Sequence, residues 1–433
     1  MDRQTQRFGG LMSGVHGVDH LLKRLFPPLV PVWAAAFGFP LWKLGLLIGA
    51  NSFGSAVGQA PMGVVSDRSD RRLLLSAGLA LVGVSVAALG AIPLLDPAIP
   101  ALTVAGSRFE GQFLLMLAVM VAAGLGSSVV HPAGYPLISA NVPEGSRGVA
   151  LGLWGSAAKF GDGLAPAMVG LLLVVLGWHE IVVAFGVLGV GYAVVLFVGL
   201  REFDTRPQEA PAGDCGGPEP LDRRRYLYPM LAVFAYFTVQ ISAANGVTVF
   251  LPQFVTSVYG YAFSILGYQL TPESTASFYY AALLLVAGGT QLITGHLVDV
   301  HDSRHVLIAY LVAGAAVLFI LSAVALPPVG LFLVLAALGM TLWGLSPARD
   351  ALIGDIAPAA REGRTFGYLW TGALLASSVS PAVVGYLGDV AGLQGAFAVL
   401  AGVTLLSVVP VTLLLDDRVY APDSSTASPP SDD

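Results

Sequence analysis

The chain has 433 residues, 55% of them hydrophobic and only 11% charged, with a net charge of −6 and a mean hydropathy of +0.76. A soluble domain carries about 25% charged residues and needs them at its surface, so a single water-soluble core is excluded and lipid must be the main solvent. One cysteine, Cys215, excludes an intrachain disulfide and a cysteine-based metal site, and the lack of a basic stripe excludes nucleic acid as a partner.

The first ten residues are polar and hold Arg3 and Arg7, with no short apolar run and small-residue cleavage site behind them. The first apolar segment is therefore expected to stay in the mature protein. Apolar runs of about 18 residues or more predict spans near 12–38, 43–66, 73–95, 112–140, 147–176 and 180–200. Residues 201–225 are polar and rich in Pro and Gly, the composition of a linker. Six more spans follow near 226–257, 276–300, 304–325, 329–356, 364–387 and 394–415, and then a Ser-, Pro- and Asp-rich tail, 416–433, expected to be disordered. The fold class is an all-α integral membrane protein of twelve transmembrane helices. It divides into a six-helix half, 1–200, a linker, 201–225, a second six-helix half, 226–415, and the acidic tail.

Loop charge sets the orientation. On this map Arg68, Arg71, Arg72, Arg147, Arg201, Arg206, Arg223, Arg224, Arg225, Arg304, Arg361 and Arg364 share one side with both termini, and only Lys43 and Arg108 fall on the other. The positive-inside rule puts both termini in the cytoplasm. The halves also repeat each other. Pro132, Pro143, Gly148, Gly152, Pro166 and Gly170 align without a gap to Pro347, Pro358, Gly363, Gly367, Pro381 and Gly385. Gly63, Asp67, Asp70 and Arg72 align to Gly295, Asp299, Asp302 and Arg304, with a longer first-half loop around 94–112 taking up the difference in offset. Such register implies a parallel repeat about an axis along the membrane normal.

The segment Gly63–Arg72, G-V-V-S-D-R-S-D-R-R, resembles the cytoplasmic motif of the major facilitator superfamily, through Gly63, Asp67, Arg68, Arg71 and Arg72; Asp70 stands where the family usually has Gly. A weaker copy at Gly295, Asp299 and Arg304 lies where the superfamily has its second one. The resemblance covers nearly the whole chain and implies alternating-access transport. A narrower resemblance is to the fosmidomycin-resistance branch, through His16, Pro27 and Pro31 in helix 1 and Gly126-Ser127-Ser128 with His131-Pro132 in helix 4. Helix 1 departs from that branch, since His20 follows Asp19 and Lys23 and Arg24 are additions. Residues 161–170 resemble the antiporter motif of helix 5, with Ala165 in place of its second Gly, which favours export.

The candidate site residues follow from cost, because an ionisable group inside a span is unfavourable by about 2.5–3.5 kcal/mol and normally faces a wet cavity. His16, Asp19, His20 and Lys23 recur at spacings of three or four and share one helical face. Alternatively helix 1 starts near Leu25, leaving Lys23 and Arg24 as interface residues. His131 lies well inside helix 4, either in the site or satisfied by a hydroxyl such as Ser127; Lys159 and Asp162, three apart on helix 5, can pair. In the second half Arg349 and Asp350 follow the Pro347 counterpart of Pro132, and Gln240, Asn245 and Gln253 offer uncharged hydrogen bonding in the site or between helices. The Asp67–Arg72 loop is expected to act as a conformational latch, its carboxylate accepting bonds from a neighbouring helix N-terminus and from Arg.

Three functions compete. The leading one is a monomeric, proton-coupled plasma-membrane exporter of a small anionic or zwitterionic compound or drug, its histidines carrying protons near neutral pH. The second is a proton-coupled importer of a metabolite on the same fold. The third is a non-transporting membrane sensor, which would want a larger soluble domain than a loop of about 25 residues. No cofactor is implied, and no H-E-x-x-H or G-x-S-x-G pattern supports an intramembrane enzyme.

Overall fold

The structure is a computed structural model. It describes residues 2–98, 100–104, 106–207, 223–265, 267–357 and 362–416, with side chains left out at 96–98, 223–226, 265 and 362–366. Cys215, Arg361 and the tail beyond 416 lie outside the described residues, as does most of the expected linker.

Proline places the main breaks. The first membrane helix is two pieces, α1 (Arg3–Arg24) and α2 (Phe26–Phe37), divided at Leu25. Pro27 and Pro28 have no N–H to return to the carbonyls of Lys23 and Arg24, so the ladder is interrupted there. After α3 (Leu41–Ser66) and α4 (Arg71–Ala91), the fourth membrane helix is broken in the same way, into α5 (Gly111–Ser127) and α6 (Val130–Asn141) just before Pro132. Its repeat partner breaks just before Pro347, into α12 (Pro328–Leu342) and α13 (Ser346–Ile356). One sequence repeat thus produces the same helix break twice. The other helices are α7 (Glu144–Leu172), α8 (Trp178–Gly199), α9 (Arg223–Phe254), α10 (Pro272–Val300), α11 (Ser303–Ala323), α14 (Glu362–Ser377), α15 (Ser380–Leu406, kinked at Gly392) and α16 (Val408–Leu413).

Among the described residues, eight helical stretches are long and apolar enough to cross a membrane. The last, Gly367–Leu413, has 47 residues, room for two crossings at about 20 each. With that stretch taken twice and the more polar α1–α2, α3 and α7 added, the crossings number the twelve read from the sequence. Two short hairpins were not foreseen. Strand β1 (Leu102–Val104) pairs antiparallel with β2 (Ser107–Phe109), and β3 (Phe263–Ile265) with β4 (Tyr268–Leu270). Each turns at a glycine in the left-handed region, Gly106 at φ 81° and Gly267 at φ 85°, where a Cβ would be strained.

The chain forms two compact units that cut across the sequence halves. The first comprises 1–209, 245–285 and 378–396; the second comprises 210–244, 286–377 and 397–433. In the first, α1 lies against α7 so closely that a Cβ on Gly161 would strike the Gly17 carbonyl. That approach, open only to glycine, sets the polar face of α1 on α7. The second unit has its own core, in which Tyr236, Phe237, Leu311, Leu345, Leu352 and Ile353 are fully buried.

Candidate functional site

The polar face of α1 is packed inside the first unit. Asp19 is 1% exposed and accepts a 2.6 Å hydrogen bond from the Ser127 hydroxyl on α5 and a 2.9 Å ion pair from Lys23 one turn on. Asp162, on α7, gathers three cationic groups: Arg24 Nε at 2.8 Å, His20 Nδ1 at 3.0 Å and Lys159 Nζ at 3.7 Å. Two separate spans therefore meet through two carboxylates. Such buried charges persist in a bilayer helix because each is paired and hydrogen-bonded.

Next to this network lies a stack of rings. His16 donates Nδ1–H to the Trp154 carbonyl on α7 at 2.9 Å, since a carbonyl can only accept. Its ring stacks on Trp154 at 4.3 Å between centroids and meets His20 and His131 edge-on at 4.7 and 5.0 Å. His16 Nε2, His131 Nδ1 and the Trp154 indole Nε1 are buried without hydrogen-bond partners. The structure thus brings His16, Asp19, His20, Lys23, His131, Lys159 and Asp162 to one side of the α1–α7 pair.

Two of the alternative readings fall here. Helix α1 begins at Arg3, not near Leu25, so Lys23 and Arg24 lie deep within the first crossing and hold carboxylates. Ser127 does not satisfy His131, because its hydroxyl is given to Asp19. The Lys159–Asp162 pair forms, but Arg24 and His20 hold Asp162 more closely.

In the second unit, Arg349 on α13 sits in the corner of two perpendicular rings. Its guanidinium carbon is 4.8 Å from the Phe237 centroid and 4.7 Å from that of Trp370, the rings being 4.8 Å apart at 83°. Its Nε and Nη2 both bond one oxygen of Asp350, at 2.9 Å. Gln240 is committed between helices, donating to the Leu342 carbonyl at 3.1 Å. Asn245, five residues on in α9, is partly buried.

The sequence matches the Major Facilitator Superfamily over residues 12–272 and again over 262–431. The chain belongs to the Major Facilitator Superfamily. It is 25% identical over 175 residues to an uncharacterised transporter of the superfamily from Methanocaldococcus jannaschii, covering 40% of this chain and 41% of that one. It is 26% identical over 159 residues to a probable L-galactonate transporter of Escherichia coli, covering 36% and 31%. The matched region thus spans well under half the length of these relatives. A bacterial homologue of the human lysosomal transporter Spinster, in an inward-facing and occupied conformation, superposes with a TM-score of 0.75 at 14% identity, over 98% of this chain and all of that one. The Escherichia coli xylose transporter, inward open, gives 0.69 at 14% identity over 98% and 97%. These likenesses establish the fold: a multi-pass membrane protein of two six-helix halves.

Within that superfamily fold the motif loops are bound differently from expectation. Asp67 is 76% exposed and reaches only Arg71 of its own loop, at 3.9 Å. Among the described residues no helix N-terminus donates to it, and the capping role falls to Asp70 instead. Asp70 caps α4 by accepting from the Arg72 N–H at 2.9 Å. The second copy repeats this, Asp302 capping α11 through the Arg304 N–H at 2.8 Å. Burial works to raise the Asp70 carboxyl, but bonds from Thr205 and from the Arg72 N–H outweigh it and hold the group below the usual carboxylate range. Asp302 is lowered chiefly by its bond from the Arg304 side chain. Arg71 ties the loop down, its N–H to the Thr205 carbonyl at 2.9 Å and its Nε to Ser66 at 3.3 Å. The start of the expected linker is thereby fixed, with Thr205 buried. Arg68 and Asp299 are exposed, and a Cβ on Gly63 or Gly295 would meet open space, so close packing does not demand either glycine.

Sequence reasoning missed three contributors. Arg24, open in the sequence to reading as an interface residue, makes the shortest contact to Asp162. Trp154 gave no signal, as one apolar aromatic among many. Asp389, past the expected end of the eleventh span, accepts from the Leu41 and Trp42 N–H groups at 2.9 and 3.0 Å and so caps α3 through both carboxylate oxygens. Below that cap, within the same unit, Gly45 and Gly49 of α3 abut the carbonyls of Pro381 and Ser378, and Gly385 abuts that of Leu41.

Proposed function

We propose that this superfamily member is a proton-coupled exporter of a small anionic or zwitterionic compound. It works as a monomer in the plasma membrane with both termini in the cytoplasm. The observation that carries the reading is the balance of the α1–α7 network. Lys23, Arg24 and Lys159 are permanent cations, and only Asp19 and Asp162 oppose them. Three against two leaves one positive charge, which an anionic group on the solute can neutralise. The rings of His20 and His131 each stand within 5.0 Å of His16 along the same face, and imidazole nitrogens are groups through which a proton can be passed. The relative named as a probable L-galactonate transporter bears the name of a carboxylate, which supports an anionic solute. The Gly161–Gly170 segment and the likeness of helices 1 and 4 to the fosmidomycin-resistance branch support export and a phosphonate drug as first solute to try.

The test is flux in proteoliposomes under an imposed pH gradient, with L-galactonate and fosmidomycin as labelled solutes. Solute movement against the proton flow is expected, and His131→Gln should flatten its pH profile while leaving binding in place. Movement with the proton flow makes the protein an importer. Flux indifferent to the gradient removes proton coupling. The orientation has its own check in Cys215, which a membrane-impermeant thiol reagent should fail to label in intact cells.

A further inference from the structure

The Arg349 corner is not explained by packing. A guanidinium placed among apolar helices for structure alone would have its donors consumed. Here both bonds go to a single oxygen of Asp350, which leaves the Nη1/Nη2 edge unengaged by any described residue. That edge is the one that takes a carboxylate or phosphate by two parallel bonds. The cation is fixed, its side chain 9% exposed and set against Phe237 and Trp370, whereas Asp350 is 46% exposed. Nearby, the Tyr236 hydroxyl is fully buried with no hydrogen-bond partner, within Coulombic reach of both Arg349 and Asp350. A buried unpartnered hydroxyl has given up its bond to water and gained none in return. Phenylalanine would fill the same space without that loss.

We infer that Arg349, with the Tyr236 hydroxyl and the ring corner of Phe237 and Trp370, forms an anion-binding subsite of the second unit, for a carboxylate, phosphate or phosphonate group of the solute. The inference rests on the anionic-solute reading above and adds a place where the charge is held. Arg349 supplies the two-bond edge and Tyr236 a third donor, O–H toward the anion. The two rings keep the guanidinium plane in one orientation without neutralising it, since an aromatic face attracts a cation yet leaves its donors available.

Tyr236→Phe separates this from a structural role. If the residue only packs, losing an unpartnered hydroxyl is neutral or stabilising. If it binds, the anion response falls. The experiment measures the thermal unfolding midpoint of the full chain in detergent at neutral pH, with sulfate, inorganic phosphate or gluconate titrated against chloride at constant ionic strength. At least one oxoanion is expected to raise the wild-type midpoint. Its apparent affinity should fall about tenfold in Tyr236→Phe, as for one charge-assisted bond of about 1.4 kcal/mol. It should fall at least as far in Arg349→Lys, which keeps the charge and loses the planar fork. The anion-free midpoint of Tyr236→Phe should equal or exceed the wild type. A flat response of the wild type to every anion overturns both the subsite and the anionic-solute reading. A wild-type response that persists undiminished in both variants overturns the subsite alone. No gradient is imposed, so a failure of proton coupling leaves this result untouched.

Discussion

Arg24 and Arg349 are both cations set within membrane helices, and they are accommodated in opposite ways. Arg24 is neutralised by Asp162, a carboxylate 5% exposed and shared with His20 and Lys159. Arg349 leans on two aromatic faces and shares its Nε/Nη2 edge with a single oxygen of a half-exposed Asp350. The repeat supplies one scaffold twice, but its chemistry has diverged. The first network can trade partners and protons; the second holds a fixed charge. Opposite charges in low dielectric are strongly coupled, whereas ring faces contribute about 0.5–2 kcal/mol apiece.

The largest effect should come from Asp162→Asn. Removing the buried carboxylate leaves Arg24, whose side chain is 26% exposed, without its nearest partner at about 2–3 kcal/mol, so a marked fall in folded yield and unfolding midpoint is expected. The double variant Arg24→Gln with Asp162→Asn should recover much of the loss. A double variant as unstable as the single one would show that Arg24 is not the charge Asp162 serves.

The loop carboxylates come next. Asp70→Ala and Asp302→Ala each remove an N-cap, at about 1 kcal/mol. Both carboxyls are lowered in the folded protein, so their contribution is full above the unfolded value near 4 and is lost as pH falls through the folded one. Unfolding midpoints between pH 5 and pH 3 should therefore drop less steeply in either variant than in the wild type. Equal slopes would remove the caps from the account.

Asp350→Asn sharpens the comparison from the other side. With the rings still holding Arg349, its loss is expected to be about 0.5–1 kcal/mol, the size of a half-exposed pair. A loss matching that of Asp162→Asn would erase the distinction between the two cations. The smallest effect belongs to Lys159→Gln. Its ammonium is 46% exposed and 3.7 Å from Asp162, so the midpoint should move by less than about 0.5 kcal/mol equivalent, while flux of an anionic solute should still slow.

Much of this was legible in advance because the bilayer imposes long apolar runs and penalises every polar interruption. The spans follow from apolar run length, the repeat from Pro and Gly in register, and the shared face of His16, Asp19, His20 and Lys23 from helical spacing. What could not be read was pairing across the chain. Ser127 lies as near in sequence to His131 as a partner could, yet it bonds Asp19, 108 residues away. Arg24 was open to reading as an interface residue because a span beginning at Leu25 would be just long enough, and only the helix start at Arg3 places it within the first crossing. The hairpins were hidden in loops too short for a strand pattern to stand out. The cap assigned to Asp67 moved three residues to Asp70 because that residue opens α4 and its side chain reaches the Arg72 N–H.

Gly45, Gly49 and Gly385 bring the main chains of α3 and α15 together with no side chain between them. A carrier must also be an insulator: a thread of water through it would short-circuit a membrane in which each charge gains about 2.3 kcal/mol per 100 mV. Backbone pressed on backbone leaves no width for such a thread. An added methyl at Gly49 would act as a wedge, and its first symptom should be electrical. Gly49→Ala liposomes are expected to leak protons in the absence of any solute, before solute flux itself declines.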